Sequence, residues 1–261
     1  MKKHTRIKGQ KAYVATTVAD ECILGVSVSP GAGEVDLKKA YGCFKEEVQK
    51  VDPKYQPETI NMDGWEATRK VWKFLFPVSV IIQCFLHIFI KIRNRGKRKY
   101  QDTFLEVSNK LWDCYKATSK ASFSQRVRRL CEWGEETSLP PLFLNTLQKL
   151  RKKIEYYKVA YDHPGSYRTS NMLDRLMQRM DRHLFNTKYF HGSINSAEDS
   201  IRAWALIQNF APSNPNTLRK YNNGLKSPAE RLNNFSYHDN WLQNLLISAY
   251  RGGYKVTPLN P

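Results

Sequence analysis

Carboxylates are scarce in this chain of 261 residues: 24 Asp and Glu stand against 42 Lys and Arg, a formal net charge of +18. An excess that large points to a polyanionic partner, nucleic acid first and an acidic membrane second. Cysteine is sparse as well. Cys22, Cys43, Cys84, Cys114 and Cys131 are odd in number and irregularly spaced. That argues against a disulfide framework and, with no signal peptide at the N-terminus, for a reducing, cytosolic compartment. Long apolar runs are missing too. The strongest, "FLFPVSVIIQCFLHIFI" at 74–90, falls short of the ~20 residues a spanning helix needs. Pro77, Gln83 and His87 interrupt it. No membrane span is expected, and no internal repeat is visible. What remains is 41% hydrophobic residues, enough for one large or two small packed domains rather than a disordered chain.

The apolar residues change period along the chain. "KAYVATTVA" (11–19) and "CILGVSVSP" (22–30) are strand-like, and Asp20-Glu21 between them signals a hairpin. From Asp36, Leu37, Ala40, Phe44, Val48 and Val51 recur at helical spacing. "ETINMD" predicts a short strand. Trp65, Thr68, Trp72 and Leu75 then predict a helix that Pro77 ends. "VSVII" is β-branched and continuous, as in a strand buried on both faces, and a helix from about Phe85 follows. This ββαβαβα pattern predicts an α/β protein with a mixed sheet. After residue 95 the strands stop. Helical periodicity covers 102–118, 122–133, 140–160, 170–185, 197–210 and about 239–250. Ser227, Pro228 and Glu230 form a strong helix start, and the C-terminal "YKVTPLNP" reads as frayed.

Several side chains stand where chemistry is possible. Asp63, with Gly64 beside it, sits at a strand tip just ahead of a helix. Carboxylates at the C-terminal ends of strands project into the crevice where α/β sheets bind ligands, and a divalent cation gathers several such oxygens. The ordinary reading is a helix N-cap or a surface turn. Cys84 and His87 make a C-x-x-H pair at the next strand-to-helix junction. Zinc wants four ligands and no second pair stands at ligand spacing, so packing is the ordinary reading here. Asp174 and Glu198 are each readable as first-turn acids stabilised by the helix dipole, with Ser196 and Asp199 as a capping pair beside Glu198. In "KIRNRGKRK" (91–99), Lys91, Arg93, Arg95, Lys97, Arg98 and Lys99 supply six cations in nine residues, and "QRVRRL" and "LRKKIEYYK" add more. One such run is usually a solvated helix face. Several together favour phosphate binding through counterion release.

Taken together, these segments resemble bacterial insertion-sequence transposases of the Mutator-related type, which carry an RNase H-like DDE catalytic core. "MDGWEAT" (62–68) resembles the segment of the second catalytic acid, and "CFLH" (84–87) resembles the C-x-x-H signature. "RTSNMLDRLMQRMDR" (168–182) is similar to the segment of the third acid, with Asp174 where the family usually has Glu and Glu198 as the alternative. "KKHTRIKGQKAYVATTV" resembles the segment that follows the first acid. The resemblance implies an RNase H-like mixed sheet flanked by helices, in a core of residues 1–95. A helical insertion over 96–168 and C-terminal helices over 169–261 that complete the core are also implied. It implies Asp63 and Asp174 as ligands of Mg²⁺ or Mn²⁺, with His87 and Cys84 beside them. The implied chemistry is cleavage and rejoining of DNA by phosphoryl transfer at two metal ions. DNA, as transposon ends and target, is the implied partner. A homo-oligomer is possible, and the implied location is cytoplasmic and nucleoid-associated. The family's first acid falls on or before Met1, so the expectation is an N-terminally truncated copy, without its first strand and inactive alone. The alternative is a basic protein that holds nucleic acid without cutting it.

Overall fold

A computed structural model describes residues 2–221 and 224–252. The chain is mixed α/β, and it divides into two compact units: residues 1–54 with 172–261, and residues 55–171. Residues 55–95 therefore group with the helices of the expected insertion. The "YKVTPLNP" segment lies outside the described residues.

The first unit is built on three antiparallel strands in the order β1-β2-β3: β1 (Lys2–Ile7), β2 (Gln10–Ala19) and β3 (Cys22–Ser29). A strand thus precedes the two legible in the sequence. Both connections are two-residue hairpins with positive φ at each central residue, 48° and 78° at Lys8-Gly9 and 44° and 66° at Asp20-Glu21. This left-handed geometry matches the twist of the flanking strands. Helix α1 (Glu34–Val51) buries Leu37, Ala40, Tyr41 and Phe44. Gly25 of β3 is what lets it approach, since a Cβ there would lie 3.0 Å from the Phe44 ring. Val48 is half-buried and Val51 exposed, so the packed stripe ends earlier than the sequence period suggests.

A second apolar layer joins Val14, Val26 and Val28 to Met177, Met180 and Leu184 of α8 (Asn171–Asn186) and to Ile201 and Trp204 of α9 (Ile194–Phe210). Helix α9 also closes the outer edge of β3. The Asn209 side-chain amide exchanges two 2.8 Å hydrogen bonds with the Ile23 backbone, standing in for a strand partner. A paired edge is a protected edge. Three short helices follow. They are α10 (Pro215–Tyr221), α11 (Pro228–Asn233) with the complete Ser227/Glu230 capping box, and α12 (Trp241–Tyr250).

The second unit opens with a parallel pair, β4 (Thr59–Met62) and β5 (Val80–Gln83), joined through α2 (Glu66–Leu75); the single mixed sheet expected from sequence is thus replaced by an antiparallel sheet and a separate parallel pair. Helix α2 buries Thr68, Val71, Trp72 and Leu75. Helices α3 (Leu86–Gly96), α4 (Gln101–Tyr115), α5 (Lys120–Glu136), α6 (Pro141–Lys152) and the single turn α7 (Glu155–Lys158) complete it. Phe85, Phe123, Phe143, Leu111, Leu147 and Leu150 fill their common core. The expected 140–160 helix is broken at Lys153, whose φ of −107° and ψ of 20° end α6. The apolar run 74–90 is shared among α2, a turn, β5 and α3. Among the described residues no helix is long and apolar enough to cross a membrane.

All five cysteines are free thiols, and Cys43 is the one that is not buried. Burial pushes the Cys22 and Cys114 thiols up to about 12 and raises Cys131 as well. A disulfide-type thiol reagent is expected to modify Cys43 alone at first and the full set only after denaturation. A second rapid site in the native Cys43→Ser variant would show that one of the buried thiols is reachable.

Candidate nucleic-acid interface

Asp63 follows the last residue of β4 and is half-buried. Its Oδ1 accepts a hydrogen bond from the Trp65 backbone N–H at 3.1 Å, an Asx turn that launches α2. Gly64 makes the turn possible with φ of +75°. A Cβ there would lie 2.1 Å from Gln83 Nε2, so the Gln83 amide sits directly over this glycine. Beside it is a hollow of about 90 Å³ lined by Gly64, Gln83, Glu66, Arg69, Lys153 and Tyr156 over a floor of Met62 and Ile81.

The charges around that hollow are mainly positive. Arg69 grips the one wall carboxylate, Glu66, through two nitrogens, with Nε at 3.1 Å. That hydrogen bond, with Arg69, Lys153 and Lys70 nearby, holds the Glu66 carboxyl below its usual range. The Arg69 guanidinium also lies 5.7 Å from the centre of the Tyr156 ring. Within this unit no three His, Cys, Asp or Glu side chains come together as a metal site among the described residues. The hollow beside Asp63 is thus lined by more basic than acidic side chains.

Cys84 and His87 do meet. Cys84 is fully buried, and its backbone N–H donates to Met62 O at 2.7 Å, carrying the β4–β5 ladder one step further. Its thiol donates to Ser170 Oγ at 3.2 Å and accepts from Ser170 N–H at 3.1 Å. Burial opposes ionisation of this thiol, but the hydrogen bond and charge of His87 and the two contacts with Ser170 outweigh it. The group is held below its ordinary value. The pair works as a clasp. It ties the returning segment 167–170 to the strand ends, helped by Asn61 Nδ2 donating to Tyr167 O (2.7 Å) and Phe85 N–H donating to Arg168 O (3.0 Å). Arg168 adds a pin that sequence reasoning missed. Its guanidinium lies 4.4 and 4.5 Å from the Tyr115 and Tyr161 ring centres and donates to Tyr161 Oη.

The other two acids belong to the first unit. Asp174 is half-buried in the first turn of α8. Glu198 is not a first-turn acid. Helix α9 starts at Ile194, and the cap is Ser193, which accepts from Ser196 N–H at 3.2 Å, so the Ser196–Asp199 cap expected from sequence is not the one used. Both Glu198 oxygens are engaged. Oε2 accepts from Ser27 Oγ (3.0 Å) and Val28 N–H (3.1 Å), and Oε1 accepts from Arg202. Arg202 in turn reaches Glu47 at 2.6 Å. This carboxylate staples α9 to β3. Glu198→Ala is expected to cost about 1–3 kcal/mol because it strands the Val28 N–H. Glu198→Gln keeps an acceptor and is expected to cost less. Equal urea midpoints for Glu198→Ala and wild type would remove the staple role.

The basic run occupies the second half of α3 and the turn behind it. Lys91, Arg93, Arg95, Lys97, Arg98 and Lys99 are all exposed. Arg93 lies 6.0 Å from the Phe89 ring centre and Lys99 lies 5.2 Å from that of Tyr100. None of the six forms an ion pair with a carboxylate among the described residues. No family model matches the chain, and no curated protein matches its sequence.

Proposed function

We propose that this chain is a transposase-like protein that binds DNA through the phosphate backbone. The observation that carries the reading is the row of exposed cations at 91–99, left without carboxylate partners in a chain of net charge +18. Such cations gain little from intramolecular pairing and much from releasing the counterions of a polyanion. Strand order adds support. Three antiparallel strands, a helix, and a parallel pair joined through a helix follow the chain order of an RNase H-like core, with Asp63 at the tip of β4, although here the strands form two separate sheets.

A second reading, DNA binding without cleavage, also has an observation behind it. Glu198 is consumed by its staple, and neither unit gathers three acids among the described residues. One experiment addresses both. The chain is incubated with a labelled duplex, with and without Mg²⁺ or Mn²⁺, and both retention and nicking are read. Retention is expected, and replacing the six cations of 91–99 by Gln is expected to weaken it severely. Metal-dependent nicking lost in Asp63→Asn supports the transposase reading and overturns the expectation that the chain is inactive alone. Retention with no nicking fits the binding protein and an inactive transposase copy alike. Absence of retention at low salt overturns both.

A further inference from the structure

The Asp63 turn does not account for the hollow beside it. Its volume of about 90 Å³ is room for several waters, and so for one compact polar group. Two donors line it that no hydrogen bond of their side chains engages among the described residues. The Gln83 amide is held over Gly64, where a side chain on residue 64 would collide with it. The Lys153 ammonium stands close enough to Glu66 to act on its ionisation, in the break between α6 and α7. The lining carries two cations, Arg69 and Lys153, against one carboxylate, Glu66, already gripped by Arg69, and the Asp63 carboxylate adjoins Gly64.

A lysine, a side-chain amide and a tight glycine turn are an economical set for an anion with several oxygens. The ammonium supplies charge, the amide supplies direction, and the absent side chain lets the anion approach the backbone. A carboxylate offers the same single charge and the same two anionic oxygens as a phosphodiester; the exposed cations at 91–99 of the same unit favour the phosphodiester. A nucleobase would use Tyr156 but has no need of the Lys153 charge.

We propose that the hollow at the tip of β4 and β5 is a phosphate subsite that takes one phosphodiester of a DNA strand between Lys153 and Gln83. The DNA occupant rests on the function proposed above; the phosphate chemistry rests on the hollow alone. The subsite sets the backbone one residue away from Asp63, and so fixes the register of a strand lying across that turn.

The test uses the full chain with two probes, a labelled duplex read by anisotropy over a salt series and inorganic pyrophosphate read by calorimetry. Lys153→Gln is expected to weaken duplex binding at every sequence and to lower the slope of log K against log[salt] by about 1, as for one lost phosphate contact. Gln83→Ala, which removes a neutral donor, is expected to weaken binding several-fold with the slope unchanged. The double variant is expected to fall short of the product of the two single effects, because both side chains hold one group. Lys153 is exposed and Gln83 half-buried, and circular dichroism of each variant checks that folding is kept. If the wild type binds duplex and both single variants bind as tightly, the subsite is overturned and the DNA-binding reading stands. If duplex does not bind but pyrophosphate does, and Lys153→Gln abolishes that, the phosphate site stands and its DNA occupant is overturned. If neither probe binds, both fail.

Discussion

Phe85→Ala is expected to destabilise the second unit by about 3–5 kcal/mol, the usual cost of emptying a large aromatic site in a core that relaxes only in part. Phe85 is 2% exposed. Its ring lies 5.5 Å from Tyr115, 6.1 Å from Phe123 and Tyr157, and 6.2 Å from Trp112. Truncation therefore removes one ring from a cluster that α4, α5 and α7 share. Phe85 is also the residue after Cys84, and its N–H holds Arg168. The cavity would open beside the clasp that fixes segment 167–170. Against a total stability of about 5–15 kcal/mol for a domain, the loss is large. Urea unfolding followed by tryptophan fluorescence reads it, since Trp65, Trp72, Trp112 and Trp133 all lie in this unit. Phe85→Leu, which keeps most of the volume, is expected to cost clearly less. A shift below about 1 kcal/mol for Phe85→Ala would mean that the cluster closes over the gap and that Phe85 does not organise it.

The parts legible in the sequence are those where one residue decides one local conformation. Ser227 and Glu230 capped α11 as read, and Asp20-Glu21 turned a hairpin. "ETINMD" and "VSVII" gave the parallel pair. Strand β1 was illegible because KKHTRI offers no apolar alternation. It is a strand because β2 lies beside it. The start of α9 was misread because Ser193 and Ser196 are both good caps three residues apart. Sequence cannot rank two caps when packing against β3 chooses between them. The break at Lys153 was hidden because Leu150 and Ile154 keep helical spacing across it. That break is what brings Lys153 and Tyr156 to the hollow beside Gly64, from some ninety positions away in sequence. Asp63 and Gly64 marked a turn in the sequence, but the approach of Lys153 to it is a product of tertiary packing.

Duplex binding is expected to fall by about 10³–10⁵ between 50 and 200 mM salt if the chain neutralises about 6–10 phosphates. The magnitude follows from counterion release: each neutralised phosphate contributes about −0.9 to the slope of log K against log[salt]. The cations of 91–99 are not equivalent in this. Lys91, Arg95 and Arg98 recur at i, i+4 and i+7, the spacing of one helix face, although α3 ends at Gly96 and only the first two are strictly helical. A rigid duplex laid along that face meets these three before it meets Arg93 or Lys97. Replacing Lys91, Arg95 and Arg98 by Gln is therefore expected to reduce the slope by about 2–3, and replacing Arg93 and Lys97 by less. Because phosphate contacts carry no base information, the loss should be the same for unrelated sequences. Anionic lipid vesicles of matched charge supply the control, since a bare polyanion effect binds them as strongly as DNA. A slope near zero, or equal losses from both sets of substitutions, would remove this face from the interface and leave the net charge of +18 without the geometric focus argued for it.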